Sequence, residues 1–443
     1  MGPTTAVYLS GKPAQMENTR PSGIKLSMKR KAPPVRTTPG RIIIDGLILL
    51  NQANINPHIW SIVETNAISG RRSQSESGVD GSEEQQLAPL GTAVKRDNTY
   101  TIVTASTPSQ TSSMAIDEDG TDYFYFSTLQ FGSSGKSIYM LIDTGSANTW
   151  VIGSGCTTKA CTSHNTFGPA DSTTLRPTQS GFNLTYGTGT VSGMIFNDTV
   201  KMAGITLPLS FGLASTTSDD FSTYPMDGIL GLGRPISSDM DSPSVMEIVK
   251  ANKALPQNLL GVSLQRNSDG STDGELSFGA PDPTKYTGDL LYTDTDSNGS
   301  LWEIPISDTA MNGVSCHFTG KRGIVDSGTS FMLLPPNDAK TLHDRIPKSV
   351  QASDGFQVPC SSSMPIQITI SNTVYNVSSK DYIGSPVNGG SMCSSNIIAR
   401  QTFGPDQWLL GDVFLKNVYT VFDFDRNRIG KKIQIPSLFT CCG

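Results

Sequence analysis

Long apolar runs are missing from this sequence. None approaches the roughly 20 residues a helix needs to cross a bilayer; Ile42-Ile43-Ile44 is broken by Asp45 before Leu47 to Leu50. Charge is also sparse, with Asp, Glu, Lys and Arg making up 16% of 443 residues. Histidine is rarer still: His58, His164, His317 and His343 are all there is. They form no convergent set at zinc-like spacing with the seven cysteines, so a metal reading has no support. Helical periodicity is weak, while Gly, Ser and Thr are abundant. That composition suits a β-rich protein of extracellular type, long enough for two domains with real cores.

Against that background two short stretches stand out by being nearly the same. One is Met140-Leu-Ile-Asp143-Thr144-Gly145-Ser146-Ala-Asn-Thr-Trp150; the other is Gly323-Ile-Val-Asp326-Ser327-Gly328-Thr329-Ser330. In each, an apolar β-branched run delivers an Asp to the end of a strand. The Gly that follows permits a tight turn with backbone close to a neighbour. The hydroxyls beside it can hydrogen-bond a poorly hydrated carboxylate. A single copy would read as an Asp-Gly turn; two copies in matching apolar contexts read as paired parts of one site. An apolar-apolar-Gly segment follows each Asp at similar spacing, 88 residues from Asp143 to Gly231 and 85 from Asp326 to Gly411. The chain therefore carries an internal repeat of long period.

The paired motifs resemble the active-site motifs of the pepsin-like aspartic peptidases. Further stretches carry the resemblance in the family's order. Tyr186-Gly187-Thr188-Gly189-Thr190 looks like its flap. Asp227-Gly-Ile229-Leu-Gly231 and Trp408-Leu409-Leu-Gly411-Asp412 look like its two hydrophobic-hydrophobic-Gly segments, and Tyr419-Thr-Val-Phe-Asp423 continues its C-terminal pattern. The likeness runs from about residue 121 to about residue 435. It implies an all-β, bilobal fold of two similar barrel-like lobes with a central cleft and a few short helices. Residues 122–285 and 286–443 would be the lobes, with a crossover near residues 278–291 and short helices near 244–252 and 336–346. Residues 1–96 would be a prosegment, and 97–121 the linker at the start of the mature chain.

The chemistry implied is hydrolysis of peptide bonds at acid pH. Two carboxyls about 3 Å apart cannot both ionise cheaply, so the pair shares one proton. The ionised member takes a proton from water while the protonated one polarises the scissile carbonyl. Neither a covalent intermediate nor a metal or other cofactor is needed. Asp143 and Asp326 are the expected dyad. By resemblance, Ser146 and Thr329 bond the outer carboxylate oxygens, and Thr144 and Ser327 tie the two turns together. The Tyr186 hydroxyl is expected to bond the Trp150 indole. Thr188 carries no charge, where some fungal relatives that accept Lys have Asp, so large apolar residues are the expected preference. Ile229, Phe221 and Leu409 would line such pockets. Substrates would be polypeptides and the enzyme a monomer. A catalytically dead peptide-binding relative would lose an Asp or a Gly of a motif, and none is lost. A membrane-tethered peptidase with basic-residue specificity would need an apolar tail, which the residues before Gly443 do not supply.

Charge is split unevenly. Residues 1–96 hold 12 Lys and Arg and 7 Asp and Glu, leaving 21 and 32 of the totals of 33 and 39 to residues 97–443, or +5 against −11. This argues against nucleic-acid binding by the body and for an intramolecular partner. Residues 24–31 alternate apolar and basic side chains like a half-buried strand, similar to the family's propeptide strand over an acidic cleft. Residues 70–86 read as disordered. Lys95-Arg96 is a natural processing site, placed where the chain becomes orderly. Residues 1–23 do not read as a secretory signal, and residues 41–70 have no recognised counterpart. Secretion, or a vacuolar location, rests on other residues. Cys156 and Cys161 lie where the family has a small disulfide loop, and Cys360 and Cys393 match its C-terminal-lobe bridge. Cys316 stands alone, and Cys441 and Cys442 have no family precedent. Sequons at Asn183, Asn197, Asn298 and Asn376 add support for glycosylation. Gly135-Lys136-Ser137 is not a phosphate loop, because Gln130 stands where that motif needs Gly and a strand pattern follows.

Overall fold

The computed structural model describes residues 41–44, 47–50 and 99–434, except 109, 188, 297 and 354. The basic strand at 24–31, the segment 70–86, Lys95-Arg96, Thr188, Cys441 and Cys442 lie outside the described residues. The chain divides into two compact units, Met1–Asn54 and Ile55–Gly443. In the first, Arg41–Ile44 pairs antiparallel with Leu47–Leu50, Ile44 opposite Leu47.

The second unit is built from strands. Its first half forms an eight-stranded sheet running from Asp117–Glu118 and Tyr125–Phe131 to the long hairpin of Gly189–Met202 and Arg176–Tyr186. An extra pairing of Phe131 with Val200 brings the strand Tyr125–Phe131 onto the hairpin as well. The turn at residues 132–135, where the Gly135 N–H donates to the Gly132 carbonyl at 3.1 Å, leads into the strand Lys136–Asp143 as its residues predict. Residues 122–130 alternate aromatic and polar side chains, yet the strand begins only at Tyr125. Asp122 has φ +63° and accepts the Asn267 N–H, so the chain bends there instead of extending.

The repeat seen in the spacing becomes a repeated pattern of pairing. Gly228–Gly231 runs parallel to Lys136–Asp143, Gly231 opposite Asp143, and antiparallel to Trp150–Ile152. In the second half Gln407–Leu410 runs parallel to Lys321–Val325 and antiparallel to Met332–Leu334. Each Asp thus leaves the end of a strand held between apolar neighbours: Ile142, Leu230, Val325 and Leu410 are all buried. Burial at roughly 25 cal/mol per Å² of apolar surface fixes these strand ends, and with them the two turns.

A six-stranded sheet joins Leu259–Ser263, Glu275–Phe278 and Ser113–Ala115 to Leu291–Asp294, Val418–Asp423 and Arg428–Ile433. The strands expected around the crossover lie in this sheet. So does Ser113–Ala115, from the segment expected to be a linker, because Met114 buries its side chain opposite Leu276. The boundary at residue 285 consequently passes through a shared sheet. The helices fall where expected. Val245–Ala251 starts with a capping box, Ser244 Oγ accepting from Glu247 N and Glu247 returning the bond, and Pro336–His343 starts on a proline. Cys156–Cys161 and Cys360–Cys393 are bridged, and Cys316 is a buried free thiol. No helix among the described residues is long and apolar enough to cross a membrane.

Candidate active site

The two Asp turns meet. The Thr144 N–H donates to Ser327 Oγ at 3.2 Å, and the Ser327 N–H donates to Thr144 Oγ1 at 3.0 Å. Each hydroxyl then donates onward to a carbonyl of the other half: Thr144 to Val325 at 3.2 Å, Ser327 to Ile142 at 2.7 Å. The exchange is reciprocal and buried, so each half supplies the partners the other needs. This is the tie expected of Thr144 and Ser327.

It brings the carboxyls together. A Cβ on Gly145 would lie 2.6 Å from Asp326 Oδ1, and one on Gly328 would lie 2.6 Å from Asp143 Oδ1. Only glycine lets each turn approach the opposite carboxyl so closely. Asp143 and Asp326 are each 1% exposed. Asp143 Oδ1 accepts the Gly145 N–H at 2.8 Å and the Ser146 N–H at 3.2 Å. Asp326 Oδ1 accepts the Gly328 N–H at 2.8 Å, and its Oδ2 accepts the Thr329 hydroxyl at 2.6 Å. Burial pushes the Asp326 carboxyl above the usual range, against the bonds from Thr329, Gly328 and Asp143 that favour its charged form.

Ser146 departs from expectation. Its hydroxyl has no hydrogen-bond partner among the described residues, and its backbone N–H serves Asp143 instead. The turn aims the peptide group, not the side chain, at the carboxylate. Asp412, read only as part of a motif, is a buried neighbour. Burial and the charge of Asp326 push its carboxyl well up, against the pull of Lys416. Nothing in its local sequence distinguishes it from a surface Asp; its environment is tertiary.

The hairpin expected to be a flap reverses at Gly187, with Tyr186 opposite Gly189. Trp150 Nε1 donates to Tyr186 Oη at 2.8 Å. Phe221 packs edge-on to both rings, with centroids 5.4 Å from Trp150 and 6.2 Å from Tyr186. Ile229 is fully buried in the same cluster. Leu409 belongs to a smaller cluster with Ile324, Phe331 and Leu333. Leu333, missed in the sequence, stands seven residues after Asp326 as Trp150 stands seven after Asp143, and could have been found from that spacing. A pocket of about 480 Å³ borders that cluster, lined by Leu301, Glu303, Arg322 and Phe403 among others.

The family model for eukaryotic aspartyl protease matches residues 124–432. A probable aspartic-type endopeptidase CTSD of Arthroderma benhamiae is 47% identical over 336 residues, covering 76% of this chain and 66% of its own length. The aspartic-type endopeptidase ctsD of Aspergillus fumigatus is 46% identical over 339 residues, with 76% and 71% covered. Pepsin A of Bos taurus is 35% identical over 317 residues, with 70% and 84% covered. The chain thus spans just under two thirds of the first relative's length.

Proposed function

Because the chain belongs to the eukaryotic aspartyl protease family, we propose that it is an acid endopeptidase in which Asp143 and Asp326 activate water. The observation that carries the reading is the reciprocal seating of each motif glycine against the opposite Asp carboxyl. Two buried carboxyls so placed share a proton, and the raised affinity at Asp326 keeps that proton on the pair at acid pH. The ionised partner takes a proton from water, and the protonated one donates to the substrate carbonyl as the water oxygen attacks. The proton taken from water then passes to the leaving amine. Tyr186, positioned by Trp150, closes over the substrate, and Phe221 and Ile229 favour a large apolar residue beside the scissile bond.

Residues 1–96 act as an inhibitory prosegment. Support comes from their +5 charge against −11 for residues 97–443. Near neutral pH ionised carboxylates of the body attract Lys25, Lys29, Arg30 or Lys31. As pH falls toward about 4 those charges are lost, the segment releases, and cleavage near Lys95-Arg96 makes the change irreversible. The enzyme works as a monomer on polypeptides outside the cytosol, secreted or vacuolar. Two disulfides favour such a compartment, and Asn183, Asn197, Asn298 and Asn376 are all exposed for glycosylation.

One experiment tests both parts. The full chain, and a variant with Lys95 and Arg96 changed to Ala, are held neutral and then acidified over a quenched peptide, with and without pepstatin. The expected outcome is activity only after acidification, slower in the variant and abolished by pepstatin but not by EDTA. Cleavage that resists pepstatin would refute the peptidase mechanism; full activity of the uncut chain at neutral pH would refute the prosegment.

A further inference from the structure

The flap hairpin has a solvent side that the peptidase chemistry does not use. Its strand Arg176–Tyr186 is the last of the eight-stranded sheet and pairs, among the described strands, with Gly189–Met202 alone. Side chains alternate across it: Phe182, Leu184 and Tyr186 are buried, while Gly181, Asn183 and Thr185 are exposed. Across the ladder Gly181 stands opposite Met194 and Asn183 opposite Ser192, so these residues share the outer face. On the next strand a bulge between Ala214 and Thr216 leaves Ser215 exposed. Its hydroxyl donates to Ser192 O at 3.4 Å. An open groove of about 470 Å³ results, lined by Gly181, Asn183, Ser192, Gly193, Met194 and Ser215 among others.

This groove mixes apolar and polar surface. Met194 offers an exposed thioether side chain. A Cβ at Gly181 would come within 3.4 Å of Gly193 O and 3.7 Å of Met194 Sδ, so the hollow beside Met194 exists because position 181 is glycine. Ser192 and Ser215 add hydroxyls. Such a surface suits a sugar ring, whose C–H face rests on apolar atoms while its hydroxyl and acetamido groups find hydrogen-bond partners. The attachment point is in the groove wall itself, since Asn183-Leu184-Thr185 is an acceptor sequon. Asn197 is placed differently: its amide oxygen accepts the Ser210 hydroxyl at 2.6 Å, and its strand is paired on both sides. An edge strand presents N–H and C=O groups that need cover, and a glycan on Asn183 supplies it.

We propose that Asn183 carries an N-glycan whose first N-acetylglucosamine lies in this groove and braces the flap hairpin from its solvent side. The proposal rests on the secretory reading and on Tyr186 as the flap residue. The donor is an oligosaccharide linked to a lipid pyrophosphate. A bond forms from Asn183 Nδ2 to the sugar C1 as the C1–O bond to the pyrophosphate breaks; the amide gives up one proton and the pyrophosphate leaves with the electron pair. Asn183 precedes Tyr186 by three residues on one strand. Trp150 and Phe221 hold Tyr186 from the inner face, and the sugar holds the same hairpin from the outer one.

The test uses the full chain secreted from yeast, carrying Asp326→Asn so that the hairpin is read whether or not the peptidase reading holds. Glycopeptide mass spectrometry should find Asn183 occupied; a bare Asn183 would overturn the proposal. Hydrogen exchange of amides in Arg176–Tyr186 and Gly189–Met202 is then compared between the intact glycoprotein and the same protein trimmed by endoglycosidase H to a single N-acetylglucosamine. Two sugar-free variants stand beside them: Asn183→Gln, and Thr185→Val, which loses the sequon but keeps Asn183. The trimmed form should match the intact one, and both variants should exchange roughly fivefold faster. Equal exchange in every form, or a trimmed form as fast as the variants, would overturn the seating of the first sugar. Faster exchange in Asn183→Gln alone would assign the bracing to the amide side chain and overturn it too. Met194→Ser, still glycosylated, should lose most of the protection, with little further loss when Asn183→Gln is added. Fully additive effects would remove the sugar from the groove.

Discussion

The residues at the centre of the molecule depend on one another more than their separation of 183 positions, from Thr144 to Ser327, would indicate. Thr144 and Ser327 have no other route to satisfaction: each backbone N–H reaches the other's hydroxyl, and both are buried. Thr144→Val keeps shape and removes the hydroxyl, leaving the Ser327 N–H and the Val325 carbonyl without it. The expected cost is about 1–3 kcal/mol, read as a lower melting temperature, together with a loss of peptidase activity as the turns shift. Unchanged stability would mean the tie is dispensable. These residues were legible because identical chemistry recurs in two matching contexts. Ser146 was misread and Asp412 was passed over for a shared reason. Their roles depend on which oxygen or carbonyl stands opposite after folding, and no local pattern encodes that.

At the scale of elements, the flap and its support form one aromatic assembly. Tyr186 sits at the end of its strand with its hydroxyl on the Trp150 indole and its ring against Phe221. Tyr186→Phe keeps the packing and strips the acceptor from a buried indole N–H. Stability should fall by about 1–3 kcal/mol while kcat/KM falls about tenfold, since the ring no longer has a fixed orientation over the substrate. Steady-state kinetics beside thermal melts separate the two effects; equal activity would remove Tyr186 from the site. The strand-turn-strand order of this hairpin was readable from Phe182 to Thr190. The register of the eight-stranded sheet was not, since parallel pairing of Gly228–Gly231 with Lys136–Asp143 joins segments far apart in sequence. The same holds for Ser113–Ala115, whose three residues acquire a strand only from Glu275–Phe278 beside them.

The whole molecule is poised for acid. Glu118 is fully buried with one carboxyl oxygen unpartnered among the described residues, and burial holds it up to about 7 from an ordinary 4.5. The folded state binds this proton more tightly than the unfolded one. Its contribution is therefore complete below about 4.5 and is lost as pH rises to about 7. Burial shifts Asp117, Glu275 and Asp412 in the same direction. His343 opposes them: held neutral down to about 4, it contributes fully above 6.5 and loses that contribution as pH falls. Lys431, held down to about 7 by burial, adds a penalty that no longer changes below that pH. Asp308, Asp381 and Asp425 are held below the ordinary 3.8 and lose their contribution only as pH falls below it. Between about 4.5 and 7 the raised carboxyls therefore stand against one imidazole, and stability should decline toward neutral pH. In Glu118→Gln that decline should be shallower, measured as melting temperature against pH. Parallel curves for the two proteins would show that Glu118 is not among the groups responsible.

Peptide hydrolysis by this molecule depends on the dyad. Asp143→Asn and Asp326→Asn should each fold and melt close to the wild type at acid pH, because an amide fits the same hydrogen-bonded seat. Each should lose peptide hydrolysis by a factor on the order of a thousand or more, as removal of a group acting directly on the reacting atoms does. The direct measurement is cleavage of a quenched peptide at acid pH by each purified, folded variant beside the wild type. Pepstatin-sensitive turnover is expected in the wild type and background alone in both variants. Substantial turnover by either folded variant would contradict the assignment of Asp143 and Asp326 as the dyad.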